Sequence, residues 1–334
     1  MRVCVFGAGA VGGHLAARFA YGGAQVSVIA RGGHLEALRR DGLRVDLPDR
    51  ALYCTPKASD RAEQLGPQDV VIVAVKTTAL PAVAAGITPL LGPDTTVLFV
   101  ANGVPWWYFH QHDGDANERQ LPLIDPHGRL WRAVGPGRAI GGLAYMACSI
   151  KAPGVIEVLS AQPHIVIGEP SARRQVTNEP SLREIRIAQA LEAGGLPCRI
   201  SNDIRMDVWT KLIGNLAGSP ASLLTHLPLS AICDDPAGET LLRAAVNEGI
   251  ALAHAMGCRV PIDADYYLAP TRGLLHKASM SQDLDAGRPL EIDSILTQPL
   301  QFARERGVPT PTLDLLATLA RMRASASGLY PTAS

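Results

Sequence analysis

Arg2-Val3-Cys4-Val5-Phe6, then Gly7-Ala8-Gly9-Ala10-Val11-Gly12, then His14-Leu15-Ala16-Ala17-Arg18-Phe19 is the stretch that decides the fold. The first run is short and apolar and reads as a buried strand, and the last has the composition of a helix. Between them the glycines stand at GxGxxG spacing, and each has a physical reason. The first permits a tight strand-to-helix turn, the second lets backbone approach a pyrophosphate, and the third lets helix and strand pack closely. The N–H groups at the start of the helix then face the anion. Alone, such glycines describe an ordinary turn. Between a strand and a helix, they make Gly7, Ala8, Gly9, Ala10, Val11 and Gly12 a candidate dinucleotide cradle.

Working outward, strand signals recur at Gln25–Ile29, Asp69–Val75, Thr96–Val100, Ala139–Ala147 and His164–Ile167, with helical patterns at Val11–Tyr21 and His34–Arg40. The continuous run Val70-Val71-Ile72-Val73-Ala74-Val75 suits a parallel strand buried on both faces. From about Asp203 the texture becomes helical, at Met206–Leu224, Gly238–Met256, Ser294–Arg306 and Thr312–Arg323. The change falls between Glu169 and Asp203, where one more short strand, Cys198–Ile200, is expected. The predicted fold class is therefore α/β. An N-terminal Rossmann-type, doubly wound domain (residues 1–190) binds NADP, and a mainly α-helical C-terminal domain (residues 200–330) carries substrate and catalysis. Residues 104–133 hold three of the four tryptophans (106, 107 and 131). They read either as a surface hairpin with its own aromatic cluster or as a lid or wall beside the substrate.

The totals exclude several classes. A chain of 334 residues exceeds one ordinary core, so two domains are expected. Formal net charge is zero, so no nucleic-acid or anionic-membrane partner is expected. Val70–Val75 is far too short to span a bilayer, and the opening strand and glycine turn stand where a leader would need an apolar helical core. The six cysteines are scattered without paired spacing, which fits reduced thiols in a cytoplasmic protein and predicts no metal site. Only five of the 31 basic residues are lysines, so a lysine in apolar company stands out as a proton donor.

The second strand chooses the cofactor. Val26-Ser27-Val28-Ile29 ends in Ala30-Arg31-Gly32 with no carboxylate to accept from a ribose hydroxyl. Arg31 therefore points to the 2′-phosphate of NADP; its plain alternative is a solvated arginine. Two later strands end at Lys76 and Asn102, where ligands of open parallel sheets bind; their plain alternatives are a loop lysine and a cap. In Trp209-Thr210-Lys211-Leu212-Ile213-Gly214-Asn215-Leu216-Ala217-Gly218-Ser219, an ammonium, an amide and a hydroxyl occur at i, i+4 and i+8, on one helix face. Lys211 is then either a snorkelling surface residue or a donor with a depressed pKa.

These motifs resemble the ketopantoate reductase family, the 2-dehydropantoate 2-reductases, over nearly the whole chain. The resemblance rests on the N-terminal glycine turn, Val75-Lys76-Thr77, Asn102-Gly103, and Trp209-x-Lys211-Leu212 with Asn215. Ser279-Met280-x-Gln282-Asp283 and Arg288-Pro289-x-Glu291-Ile292-Asp293 complete it. It implies an NADP-dependent oxidoreductase acting on a CH–OH group, of the kind used in pantothenate biosynthesis. Lys211 matches the general acid, Asn215 a substrate-binding asparagine and Ser279 the serine that holds the substrate carboxylate. Glu291 matches a glutamate near the nicotinamide ribose, with a part in catalysis, while Lys76 and Asn102 match residues touching cofactor and substrate. Ser219, assigned to substrate, replaces a second asparagine, and Leu229 replaces another polar contact. A pocket poorer in polar partners leaves open which 2-oxo acid is used.

The expected reaction is reduction of a small 2-oxo acid by NADPH, with Lys211 giving the proton. Two alternatives remain at this point: a β-hydroxyacid or hydroxyacyl-CoA dehydrogenase, and a non-catalytic NADPH-binding regulator. The Ser279 and Glu291 motifs speak against the first, and Lys211 with Asn215 against the second. Homodimerisation through the helical domain is the expected assembly.

Overall fold

The structure, a computed structural model, describes residues 1–170, 179–273 and 275–331. Residues 171–178, inside the stretch where the sequence changes texture, lie outside the described residues. The chain divides into two compact units, Met1–Ala101 with Pro105–Ile204 and Asn102–Val104 with Arg205–Ser334.

The first unit runs β1 (Arg2–Phe6), α1 (Ala10–Tyr21), β2 (Gln25–Ile29), α2 (Gly32–Asp41), β3 (Leu43–Asp46), β4 (Ala51–Cys54), β5 (Lys57–Ser59), β6 (Gln68–Val73) and α3 (Leu80–Gly86). It continues through β7 (Leu91–Val100), α4 (Arg129–Ala133), β8 (Ala139–Tyr145), β9 (Cys148–Ala152), β10 (Val155–Val158), β11 (His164–Gly168), α5 (Leu182–Ala193) and β12 (Cys198–Ile200). Eight strands form one sheet in the order β12-β11-β8-β7-β6-β1-β2-β5. Every neighbouring pair is parallel except β8 with β11. The chain adds β2 and β5 on one side of β1, then returns to add β6 and β7 on the other. The order therefore reverses between β1 and β6, and a sheet of this kind takes its ligand at that reversal, beyond the carboxyl ends of the strands. The apolar runs explain the burial: Val3, Cys4, Val5, Val71 and Ile72 are wholly enclosed, as strands covered on both faces must be.

A second sheet, β4-β3-β10-β9, was not expected from the sequence. It lies against α1, where a Cβ at Gly13 would come within 2.8 Å of Ile156 Cγ1. The same helix buries two polar side chains and satisfies them internally. The Arg18 Nε donates to His14 Nε2 at 2.8 Å, and its Nη1 donates to the carbonyls of Gly194 and Gly195 at 3.1 and 3.0 Å. Burial and the neighbouring guanidinium push the His14 pKa down to about 3, so the imidazole stays neutral and can accept that bond.

The aromatic segment is not a hairpin. Residues 104–125 contain turns and bends without a strand, and Trp106, Trp107, Tyr108 and Phe109 are each enclosed to 1% exposure or less. Trp106 meets Phe99 of β7 edge-on at 5.3 Å and Trp131 of α4 at 5.9 Å between ring centroids. These rings are thus core of the first unit.

The second unit is helical: α6 (Ile204–Thr225), α7 (Leu229–Asp234), α8 (Pro236–Ala255), α9 (Ala264–Thr271), α10 (Ser279–Asp285), a π-helical turn over Asp293–Thr297 that runs on into α11 (Gln298–Arg306), and α12 (Pro311–Ala326). Helix α6 is its axis, with Trp209, Leu212, Ile213 and Leu216 fully buried. Among the described residues, no helix is long and apolar enough to cross a membrane.

Trp106→Ala should lower the stability of the chain by about 3–5 kcal/mol, the usual cost of emptying a tryptophan-sized site. Urea unfolding measures it, and a loss under about 1 kcal/mol would place the ring outside a packed core.

Candidate active site

In the first unit, Gly7 leaves β1 with φ +99°, a conformation a side chain would strain. Its N–H and that of Ala8 both donate to the Ile29 carbonyl, at 3.1 and 3.2 Å, tying the turn to the end of β2. A Cβ at Gly12 would stand 2.1 Å from the Gly7 carbonyl, so only glycine lets α1 start this close to the turn. At Gly9, a Cβ would meet nothing within 4 Å. That open space lies at the N-cap of α1, where no side chain takes the helix's first N–H groups. Open room beside uncapped, aligned N–H dipoles suits an anion.

Gly7, Ala8 and Gly9 line a cavity of about 280 Å³ together with Ala30, Arg31 and Ile150. Ala10 and Val11 form the half-buried first turn of α1 behind it. Arg31 is exposed at the N-cap of α2, at the cavity's edge. Several lining residues escaped the sequence reading, among them Ala79, Ala82, Val83, Ile150 and His34. Ile150 lies on β9, in the unexpected sheet. His34 accepts the Gly154 N–H on Nδ1 at 3.1 Å, which leaves the proton of the neutral ring on Nε2, and burial lowers its pKa. Lys76 caps the short turn after β6, where its carbonyl accepts the Ala79 N–H at 2.9 Å. Cys148 packs against His14, and burial raises its thiol pKa to about 12, so it is inert.

In the second unit, α6 carries Lys211, Asn215 and Ser219. Lys211 and Asn215 keep part of their surface, whereas Ser219 is 3% exposed. Burial drives the Lys211 pKa down to about 8, against the charge of Glu291, which raises it. The lysine is thus held close to the point of releasing its proton. The Tyr267 hydroxyl of α9 bonds the Thr210 carbonyl, one residue before the lysine, and its ring packs against Gly214. Ser279 is exposed at the first position of α10. Its neighbour Ala278 donates to Ser222 Oγ at 3.1 Å, which joins α10 to the last turns of α6. Arg288 pairs with Asp283 at 2.9 Å and fixes the segment leading to Glu291. Leu229 packs against Gly218, beside Ser219. Asn102 belongs to this unit rather than to the sheet it follows.

A model described as ketopantoate reductase PanE/ApbA matches residues 3–172, and one described as its C-terminal part matches residues 203–324. A 2-dehydropantoate 2-reductase of Mesorhizobium japonicum is 39% identical over 99% of this chain and all of its own length. This chain belongs to the ketopantoate reductase family. A solved structure from Ralstonia solanacearum MolK2 is 39% identical, with a TM-score of 0.90 over 98% of this chain and 99% of that one. The 2-dehydropantoate 2-reductase of Geobacter metallireducens, 27% identical, gives 0.83 over 96% and 99%. The architecture of a Rossmann-type sheet followed by a helical unit is therefore the architecture of the family. Membership also selects this reading over the β-hydroxyacid dehydrogenase.

Glu291→Gln should move the Lys211 pKa further below about 8, because it removes the charge that opposes desolvation. With only five lysines in the chain, NMR titration of labelled lysine side chains resolves the signal. A rise on substitution would contradict the pairing.

Proposed function

We propose that this chain uses NADPH to reduce a small 2-oxo acid to the 2-hydroxy acid. The name shared by its relatives, 2-dehydropantoate 2-reductase, makes 2-dehydropantoate the first candidate. The observation that carries the reading is Lys211, whose pKa is drawn down to about 8 on a helix face that also bears Asn215.

The cradle of Gly7 to Gly12 and the N-terminus of α1 are assigned to the pyrophosphate, and Arg31 to the 2′-phosphate. Lys76 and Asn102 complete the contacts to cofactor and substrate. Bound NADPH supplies the hydride. As charge builds on the substrate's carbonyl oxygen, the Lys211 ammonium stabilises it and transfers a proton to it. A donor titrating near the working pH is both available and willing to release. Glu291 keeps the lysine protonated up to that pH, and Asn215 and Ser279 orient the substrate. Since the protonated lysine is the active form, turnover should fall as pH rises through about 8.

A second, finer reading concerns assembly in the cytoplasm. Leu315, Leu319 and Met322 stand 59%, 41% and 61% exposed at i, i+4 and i+7 of α12, one apolar face on the helical unit. We assign this face to a homodimer.

The activity is tested by following NADPH absorbance with a panel of 2-oxo acids, from 2-dehydropantoate to bulkier and aromatic ones, repeated with NADH. Turnover should require NADPH, and Lys211→Ala should reduce it by orders of magnitude with NADPH affinity nearly unchanged. Silence across the panel would favour a nucleotide-binding regulator, and equal loss of turnover and affinity would remove Lys211 from its role. For the dimer, sedimentation should give twice the chain mass for the parent and the monomer mass for Leu319→Glu. A monomeric parent would end that assignment.

A further inference from the structure

The helix that follows Glu291 is not regular, and its irregularity is written in one residue. In an α-helix the Gln298 N–H would bond Ser294, four residues back; instead it donates to the Asp293 carbonyl, five back. In this wider register, Ser294 would look for its donor at position 299. That residue is Pro299, which has no N–H. The proline ring also crowds the preceding turn, so widening relieves it. The Ser294 carbonyl reaches outside the helix and accepts the Val104 N–H at 2.8 Å.

That bond needs Gly103. Its φ is +83°, and a Cβ there would stand 2.4 Å from the Ser294 oxygen. Asn102, Gly103 and Val104 are accordingly latched to the turn, within one compact unit. The π-turn also sets direction. One extra residue in a turn rotates what precedes it by about 100° relative to α11, given 3.6 residues per turn. Glu291 is what precedes it, and its carbonyl accepts the Ile295 N–H at 3.2 Å. The Tyr330 hydroxyl holds the Asp293 carboxylate at the mouth of the turn, at 2.6 Å.

We propose that Pro299 is a positioning residue: by forcing the π-turn it aims Glu291 and creates the carbonyl that latches Asn102. The inference rests on the proposed roles of Lys211, Glu291 and Asn102. It assigns those roles a common frame, one carbonyl oxygen and one missing N–H.

Pro299→Ala restores an N–H and should let the turn close to a regular α-helix. The Val104 amide should then exchange with solvent at least about tenfold faster, and kcat/KM for the oxo acid should fall about tenfold. The alkaline limb of the pH profile should move below its parent position, because Glu291 swings away from Lys211. Thermal stability should hold or rise, since a helix hydrogen bond is gained. Unchanged Val104 exchange overturns the latch; faster exchange with unmoved kinetics and pH profile overturns its positioning role. A fall in stability with the pH profile in place makes Pro299 merely structural. Gly103→Ala breaks the latch from its other side, and its losses should not add to those of Pro299→Ala; full additivity counts against the proposal. Lys211→Ala, run alongside, separates the two questions. If it still turns over, the reading of the site fails, while the Val104 exchange result stands by itself.

Discussion

An ammonium enclosed by protein loses its hydration, and only an opposing charge or a set of acceptors keeps it ionised. Lys211 lies at that balance point. Burial drives its pKa toward neutrality, and the Glu291 carboxylate limits the fall to about 8. Much of the helical unit serves this balance. Trp209, Leu212, Ile213 and Leu216 bury the same helix and hold its direction, and Tyr267 grips the backbone at Thr210. The Arg288–Asp283 pair fixes the chain just before the glutamate. A lysine on a loosely held helix would snorkel into solvent and titrate near its ordinary value.

The first unit handles charge in the opposite way, by leaving donors bare. Among the described residues no side chain caps the start of α1 or fills the space at Gly9, and β2 runs into Ala30-Arg31 with no carboxylate. Elsewhere in the same unit a buried cation is satisfied internally: Arg18 reaches an imidazole and two carbonyls. The capping box at Ser181 and Glu184 closes the start of α5. The starts of α2, α3 and α4 also lack a side-chain cap, so it is the glycine turn, with Gly7 at φ +99° and open room at Gly9, that makes the start of α1 suit an anion.

Legibility in the sequence followed the range of the interactions involved. Gln25–Ile29 and Cys198–Ile200 could be read to the residue, because each is a short run bounded by turn residues, Gly22-Gly23 before the one and Gly194-Gly195 before the other. The sheet β4-β3-β10-β9 was invisible. Its strands are short and half-exposed, and β3 pairs with β10 more than 100 residues away, as in Arg44 with Val155, so no local period marks it. Ile150 and its place beside the nucleotide cavity were lost with it. Residues 104–133 misled for a related reason: Trp106 and Trp107 carry no period, and aromatic density alone does not separate a wall from a core. The glycine turn and the Lys211 face could be read because short spacings on one element carry their geometry with them.

The irregular turn after Glu291 shows where such reading stops and what would extend it. Apolar spacing made Ser294–Arg306 a single helix, and the chain does run helically there. A proline inside that pattern contradicts it, though, since its missing N–H and its ring disturb the turn before it. Natural chains tolerate such conflicts where something else depends on them. Here the disturbed turn offers the Ser294 carbonyl to Val104, and the positive φ of Gly103 is the matching irregularity on the other strand of the contact. Each oddity alone invites a local explanation. Together they describe one contact seen from its two ends, and it joins the segments bearing Asn102 and Glu291, which lie almost two hundred residues apart in the chain.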